Sequence, residues 1–341
     1  MPNKHKTNFA NSYSFFDKDY WSRKLDSFDI DLLDPKKKIN NKTQIELFKK
    51  NVEVIVFELS SYCNRQCSYC PLTEYKRNEE LYMPDKIFQS IISDLKKISY
   101  NKSIHLNGYN EPFYDFKKFT DYLKYIKTNL PRAILVTNSN GDYLDKNKLI
   151  KIAEENLLQK IKITIHPPKK KQWDFDYSFD KIKNFLKKIN VTFVEKDLLS
   201  ESNKNEIYHF FKIKNLSVLV QSVNFDLEGT NRSGILKKHS NVYKRVKPCE
   251  KPFREFTIYY DGSVTQCCDA FYDQKYKTNK ISALTLNNNI FKIYNSFLMR
   301  RIRRELFDWE EKKNICSNCS AAGYAKISDE KKRNEILKNL F

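Results

Sequence analysis

The chain has 341 residues, 40% hydrophobic and 14% aromatic, which is enough for a real core and more than one average domain; one large domain with an appendage is expected. Its formal charge of +20 is scattered through runs such as Lys36-Lys37-Lys38 and Lys169-Lys170-Lys171. With no single basic stripe interleaved with aromatics, it reads as a solvated lysine-rich surface and no nucleic-acid partner is expected. The polar start, Met1 to Asn8, has no apolar stretch behind it, and no apolar run approaches the ~18 residues of a membrane span, so a cytoplasmic protein without a membrane span is expected. In that compartment eight cysteines are metal ligands sooner than disulfides.

Residues 1–50 are polar, with Tyr20-Trp21 and Leu32-Leu33 as docking points, and read as an N-terminal extension. From Val52 strands and helices alternate. Val52 to Leu59 is the first strand. After Pro84, the residues Ile87, Phe88, Ile91, Ile92, Leu95 and Ile98 fall at helical spacing. Ser103 to Asn107 is the second strand, followed by a helix with Phe116, Phe119, Leu123 and Ile126 on one face. Ala133 to Thr137 is the third, followed by a helix with Leu149, Ile150, Ala153 and Leu157 that Asp145 caps. Ile161 to Ile165 is the fourth, and Ile182, Phe185, Leu186 and Ile189 form the next helix. Val191 to Val194 reads as strand, Glu206 to Phe211 as helix and Ser217 to Gln221 as strand. Repeated β-α units build a parallel sheet of about six strands, so residues 51–238 are assigned a partial (β/α)6 TIM-like barrel, with its chemistry at the C-terminal strand ends. In residues 239–341, Phe256 to Tyr260 and Ser263 to Gln266 form a hairpin about Asp261-Gly262, and Ile290 to Leu306 reads as one helix.

The candidate site residues cluster at strand exits. Cys63, Cys67 and Cys70, spaced Cys-x3-Cys-x2-Cys, follow the first strand; three thiolates leave one metal corner open, whereas a closed structural site wants four protein ligands. Gly108-Tyr109-Asn110-Glu111-Pro112 follows the second strand: the glycine permits close backbone approach and the carboxylate can hold an ammonium. Asn138-Ser139-Asn140-Gly141-Asp142 follows the third, with groups that suit a ribose or a carboxylate, and His166 follows the fourth. Each motif alone is a common turn; the ordered set at successive strand exits is specific. Farther on, Cys249, Cys267, Cys316 and Cys319 surround the hairpin and a Cys-x2-Cys knuckle, a set that by its chemistry holds either zinc or a fully ligated iron-sulfur cluster.

Cys63-x3-Cys67-x-Tyr69-Cys70 together with Gly108-x2-Glu111-Pro112 resembles the radical S-adenosylmethionine superfamily. The resemblance implies a 4Fe-4S cluster on Cys63, Cys67 and Cys70, whose open iron takes the amino and carboxylate groups of S-adenosylmethionine, and reductive cleavage to a 5'-deoxyadenosyl radical. It implies that Tyr69 flanks the adenine, Glu111 meets the methionine amine, and Ser139 or Asn140 meets the ribose or carboxylate, with Gly108, Asn110, Asn138 and His166 in the same cofactor set. The later cysteines are similar to the short auxiliary-cluster domain called twitch, and lack the further cysteine set of the longer SPASM version. This implies one auxiliary 4Fe-4S cluster on Cys249, Cys267, Cys316 and Cys319, and leaves Cys268 as a spare buried thiol or an alternative ligand.

A narrower likeness, over residues 52–320 and strongest at Ile134 to Leu144, His166 and Thr230 to Leu236, is to the twitch-type aminocyclitol dehydrogenases. It implies oxidation of a secondary alcohol with the auxiliary cluster taking the second electron, and makes Arg232 the substrate contact; a structural ion pair is the other reading of that residue. Asp226 and Glu228 are considered as proton acceptors and read as solvated loop carboxylates. The expected partners are a hydroxylated small molecule (a sugar, aminocyclitol or nucleotide sugar) and a reducing protein such as flavodoxin or ferredoxin. Epimerisation or dehydration would share the first hydrogen abstraction. A peptide-modifying enzyme is disfavoured because no leader-binding domain precedes Val52, and a non-catalytic iron-sulfur or zinc scaffold is the reading outside enzymology.

Overall fold

The computed structural model describes residues 21, 24–77, 79–168, 171–190, 205–236, 244–273, 279–285, 287–321 and 326–340. Nine strands form one mixed sheet: β1 (Val54–Phe57), β2 (Ser103–His105), β3 (Ile134–Ser139), β4 (Lys160–Thr164), β5 (Glu206–Ile213), β6 (Leu216–Val223), β7 (Glu255–Ile258), β8 (Ser263–Thr265) and β9 (Ser282–Ala283). Their spatial order is β5-β6-β4-β3-β2-β1-β7-β8-β9. The run from β6 to β7 is parallel throughout, and β5, β8 and β9 add antiparallel edges. The α/β class with a parallel sheet is therefore as expected; the sheet stays open among the described residues, and β7 of the C-terminal region extends it by pairing with β1.

The connecting helices are α1 (Asn41–Asn51), α2 (Asp85–Lys97), α3 (Phe116–Asn129), α4 (Lys146–Glu154), α5 (Phe175–Lys188), α6 (Ile290–Tyr294), α7 (Phe297–Glu305) and α8 (Glu330–Lys338). The apolar spacing located α2 to α5 correctly. Acceptor side chains mark their starts: the side chains of Asp115, Asp145 and Asp174 accept from the backbone N–H groups of Lys118, Lys148 and Tyr177 at 3.0, 2.9 and 2.8 Å. Each strand divides its side chains between two faces. Ile55, Phe57, Leu135, Ile161 and Ile163 enter the apolar core. Val56, His105, Asn138, Lys162, Thr164, Gln221 and Thr257 line a cavity on the other side.

Three sequence expectations change. Glu206 to Phe211 is strand β5, not helix: Ile207 and His209 are buried in alternation with less buried neighbours, and the segment pairs with β6 from Ile213↔Leu216 to Glu206↔Val223. The turn between them, Lys214-Asn215, has Lys214 in the left-handed region at φ 52, as a two-residue hairpin loop requires. Ile290 to Leu306 is two helices, because Asn295 and Ser296 divert backbone hydrogen bonds to their side chains: Asn295 Nδ2 donates to the Gln44 and Phe291 carbonyls, and Ser296 Oγ caps α7 at Met299 N–H, 3.4 Å. The hairpin about Gly262 is present as expected, with that glycine at φ 81. Val191 to Val194 and Tyr20 lie outside the described residues.

The N-terminal region also differs from a draped extension. Trp21, Leu32 and Leu33 are buried as expected, and the ring of Trp21 meets Phe253 edge-on at 5.2 Å with the Arg333 guanidinium 4.0 Å above it. The unforeseen helix α1 drives Phe48 between Phe256, Phe291 and Tyr294, with centroids at 5.5, 5.3 and 5.3 Å. No described helix is long and apolar enough to cross a membrane. Phe48→Ala should lower unfolding free energy by about 3–5 kcal/mol, read as the shift of a denaturant midpoint; a loss near zero would show that α1 only rests on the surface.

Candidate active site

The cavity, about 390 Å³, opens at the C-terminal ends of β1, β2, β3, β4, β6 and β7. It collects Cys63, Cys67, Cys70, Tyr69, Gly108, Asn110, Glu111, Asn138, Ser139, Asn140, His166 and Arg232, so the candidate residues of five separate chain segments share one space. Parallel strands explain this convergence, since all of their exits lie on the same edge of the sheet.

The cysteine loop is lashed to the exit of β3. Arg65 grips Asp142 with two bonds, Nε to Oδ2 at 2.7 Å and Nη2 to Oδ1 at 2.6 Å, and Asn64 Nδ2 donates to the same carboxylate at 2.6 Å. Asn140 Nδ2 closes the set by donating to Asn64 Oδ1, 2.7 Å. Within the loop Cys70 N–H donates to the Cys67 carbonyl at 2.8 Å. Burial pushes the thiols of Cys63 up to about 12 and of Cys67 and Cys70 up to about 11. Metal uptake by these residues must therefore expel protons.

Glu111 is 2% exposed. Its carboxylate accepts from Ser139 Oγ at 2.8 Å, Asn140 N–H at 2.7 Å and Phe113 N–H at 3.1 Å, binding the exit of β2 to that of β3. Burial outweighs these donors and raises its pKa to about 7. Asn110 Oδ1 accepts from Gly108 N–H, 3.0 Å, and its amide donates to Ser60 Oγ, 3.2 Å. At Gly108 a side chain is excluded, since a Cβ would stand 2.9 Å from Glu58. Glu58 in turn accepts from Tyr109 N–H at 2.7 Å and pairs with buried Arg77 at 2.8 Å, which also reaches Asp273 at 3.2 Å. His166 receives the Tyr69 hydroxyl at Nδ1, and burial with the nearby Arg65 charge lowers its pKa to about 3, so it stays neutral. Tyr69 also meets Phe225 at a 4.5 Å centroid distance.

Cys249, Cys267, Cys316 and Cys319 line a second, small cavity. Arg245 is wrapped by this segment, donating to the carbonyls of Cys319 at 3.2 Å, Ala321 at 2.6 Å and Pro248 at 3.2 Å. Burial raises Cys249 and Cys316 to about 12. Among the described residues no three His, Cys, Asp or Glu side chains are close enough to share a single metal ion. Both cysteine sets are thus wider than a one-ion site, as fits a cube that offers each thiolate a different iron. Cys268 is not in the second set: its side chain lines the first cavity, with Sγ 3.8 Å from Lys251 Nζ.

Arg232 satisfies both sequence readings at once. It lines the first cavity and pairs with Asp269, Nη1 to Oδ1 at 3.1 Å. Arg232, Ser233 and Gly234 have φ values of 48, 57 and 83, an unusual left-handed run that presents the guanidinium. Asp269 also pairs with buried Lys251 and accepts from Thr230 Oγ1, 3.1 Å. Asp226 and Glu228 fall in the short helix Phe225–Glu228, outside the cavity lining. The sequence reading missed Glu58, Asp269, Lys162, Thr164 and Gln221. The signal available for three of them was a polar residue at every second position of an apolar strand, as in Lys160-Ile161-Lys162-Ile163-Thr164.

Comparison with known proteins matches residues 52–186 to the 4Fe-4S single cluster domain and residues 249–320 to SPASM, an iron-sulfur cluster-binding domain. The S-adenosyl-L-methionine-dependent 2-deoxy-scyllo-inosamine dehydrogenase of Niallia circulans is 24% identical over 272 residues, covering 80% of this chain and 94% of that protein. The chain is a radical S-adenosylmethionine enzyme with a SPASM domain. The crystal structure of BtrN in complex with AdoMet and 2-DOIA shares the fold, with a TM-score of 0.56 at 21% identity over 80% of this chain and 94% of that one. Selenomethionine BtrN in an open conformation gives 0.51 at 17% identity, over 79% and 92%. The cofactors of this radical S-adenosylmethionine enzyme are a 4Fe-4S cluster with S-adenosylmethionine and an auxiliary 4Fe-4S cluster in the SPASM domain.

A pH dependence follows from Glu111. Its folded pKa of about 7 lies above its ordinary value of 4.5, so the neutral acid stabilises the fold below pH 4.5 and that contribution is lost as pH rises through 7. In thermal melts of the metal-free chain, the destabilisation of Glu111→Gln relative to wild type should shrink between pH 5 and pH 7.5. A constant difference would show that Glu111 does not titrate there.

Proposed function

We propose that this enzyme oxidises a secondary alcohol of a hydroxylated small molecule (a sugar, aminocyclitol or nucleotide sugar) to a ketone. One observation carries the reading: Cys267 lines the small cavity and Cys268, the next residue, lines the large one, so a single peptide separates the two centres. The relative named as a 2-deoxy-scyllo-inosamine dehydrogenase supports it. Bound in place, the first cluster with S-adenosylmethionine supplies a hydrogen-abstracting 5'-deoxyadenosyl radical, and the auxiliary cluster supplies a sink for the second electron.

In this reading Cys63, Cys67 and Cys70 hold the first cluster and Cys249, Cys267, Cys316 and Cys319 the second. Tyr69, Gly108, Asn110, Glu111, Asn138, Ser139, Asn140 and His166 surround S-adenosylmethionine. Arg232, anchored by Asp269, donates to the oxygen of the reacting hydroxyl and steadies negative charge as that oxygen loses its proton. Residues 51–238 form the radical-generating domain and 239–341 the auxiliary domain behind an N-terminal extension. The protein works in the cytoplasm, supplied with electrons by a flavodoxin or ferredoxin.

A second reading, epimerisation, draws on the Cys268 thiol in the cavity, which could return a hydrogen atom to substrate. The two differ in product: oxidation yields a ketone with one 5'-deoxyadenosine per turnover, whereas epimerisation in deuterated water yields an alcohol carrying solvent deuterium at carbon. Cys67→Ala should abolish S-adenosylmethionine cleavage. Cys316→Ala should keep uncoupled cleavage and form no ketone; equal loss of both in the two variants would refute the separation of roles.

A further inference from the structure

The floor of the large cavity carries a lysine that none of these roles uses. On β4, Ile161 and Ile163 enter the apolar core, which turns Lys162 to the opposite face, and it lines the cavity. Lysine is among the residues least often placed inside a protein, because its ammonium is expensive to take out of water; burial here pulls its pKa down. Its register partner on β3 is Asn138, which lines the same cavity and whose Oδ1 is buried with no hydrogen-bond partner. His105, also in the lining, is held neutral, its pKa lowered to about 3 by burial and by the charges of Lys162 and Lys160.

The cavity's own carboxylates are committed elsewhere. Glu58 is paired with Arg77 and bonded to Tyr109 N–H, and Glu111 is bonded to Ser139, Asn140 and Phe113. Arg65 and Arg232, the other cations of the lining, are matched by Asp142 and Asp269. Lys162 therefore brings positive charge, and Asn138 an unfilled acceptor, to one corner of a space large enough for a small molecule.

We propose that Lys162 is the anion-recognising residue of the substrate site: the substrate is a hydroxylated ring bearing a carboxylate or phosphate, whose oxyanion accepts from the ammonium while a hydroxyl donates to Asn138 Oδ1. The inference rests on this cavity being where the alcohol binds. A charge-assisted hydrogen bond in a dehydrated cavity is among the stronger polar contacts, and a neutral analogue leaves the ammonium buried without it.

The test is equilibrium titration of the full chain, anaerobically reconstituted and loaded with S-adenosylmethionine, with inorganic phosphate, glucose 6-phosphate, glucuronate and glucose. The anionic sugars should bind at least about tenfold more tightly than glucose, the ratio of phosphate to carboxylate showing which oxyanion the corner prefers. Lys162→Gln should erase this preference and the binding of inorganic phosphate, Lys162→Arg should retain both, and the dissociation constant of S-adenosylmethionine should stay within about twofold in each variant. Glucose binding as tightly as the anions, no binding of any anion, or an anion preference surviving in Lys162→Gln would overturn the proposal. So would an equal weakening of S-adenosylmethionine, which would give Lys162 to the cofactor's carboxylate. Since these titrations read binding and not turnover, they stand or fall whether the bound alcohol is oxidised or epimerised.

Discussion

The parallel ladder between β1 and β7 is the constraint on which the site depends. Residues 54–57 pair with 255–258 although two hundred positions separate them, from Val54↔Glu255 to Phe57↔Ile258. Because the pairing is parallel, both strands end on the same edge, and the loops that follow them carry the two cysteine sets to adjoining cavities. An antiparallel partner at this position would send the hairpin of Gly262 and the Cys267-Cys268 pair to the far end of the sheet. The burial of Phe48 and Trp21 against the C-terminal region reinforces the same junction from the helical side.

Around that junction, polar groups are buried in matched sets. Glu58, Arg77 and Asp273 form one chain, and Arg232, Asp269 and Lys251 another. Buried ion pairs add little net stability, since desolvation offsets their attraction, yet removing one member leaves an uncompensated charge. Their value here is positional: Glu58 keeps the backbone of Tyr109 close where Gly108 leaves no side chain, and Asp269 sets the guanidinium of Arg232 at the cavity wall. The thiols face the opposite electrostatic problem. Burial favours their neutral forms, so the apo protein stores protons that cluster assembly must release.

Much of this was legible in the residue order, where local rules suffice. Helical spacing located α2 to α5, Asp145 marked a helix start, and Asp261-Gly262 marked the hairpin. The failures have local causes as well. The aromatic run from Tyr208 to Phe211 suits either a helix or an edge strand, and only its pairing with β6 decides between them. Asn295 and Ser296 break a helix by hydrogen bonds, one of which reaches Gln44 in another segment. The lysine face of α1 hid the short stripe that buries Phe48.

By itself the sequence determined the cysteine spacings, the alternation of strands and helices, and the motifs at strand exits, because each is written in neighbouring residues. Tertiary structure decided what those motifs meet. Strand order placed β7 beside β1, backbone direction sent Cys267 and Cys268 to different cavities, and the pleat turned Lys162 inward instead of into solvent. These are contacts between distant segments, set by which strand pairs with which, and no local pattern of residue types encodes that choice.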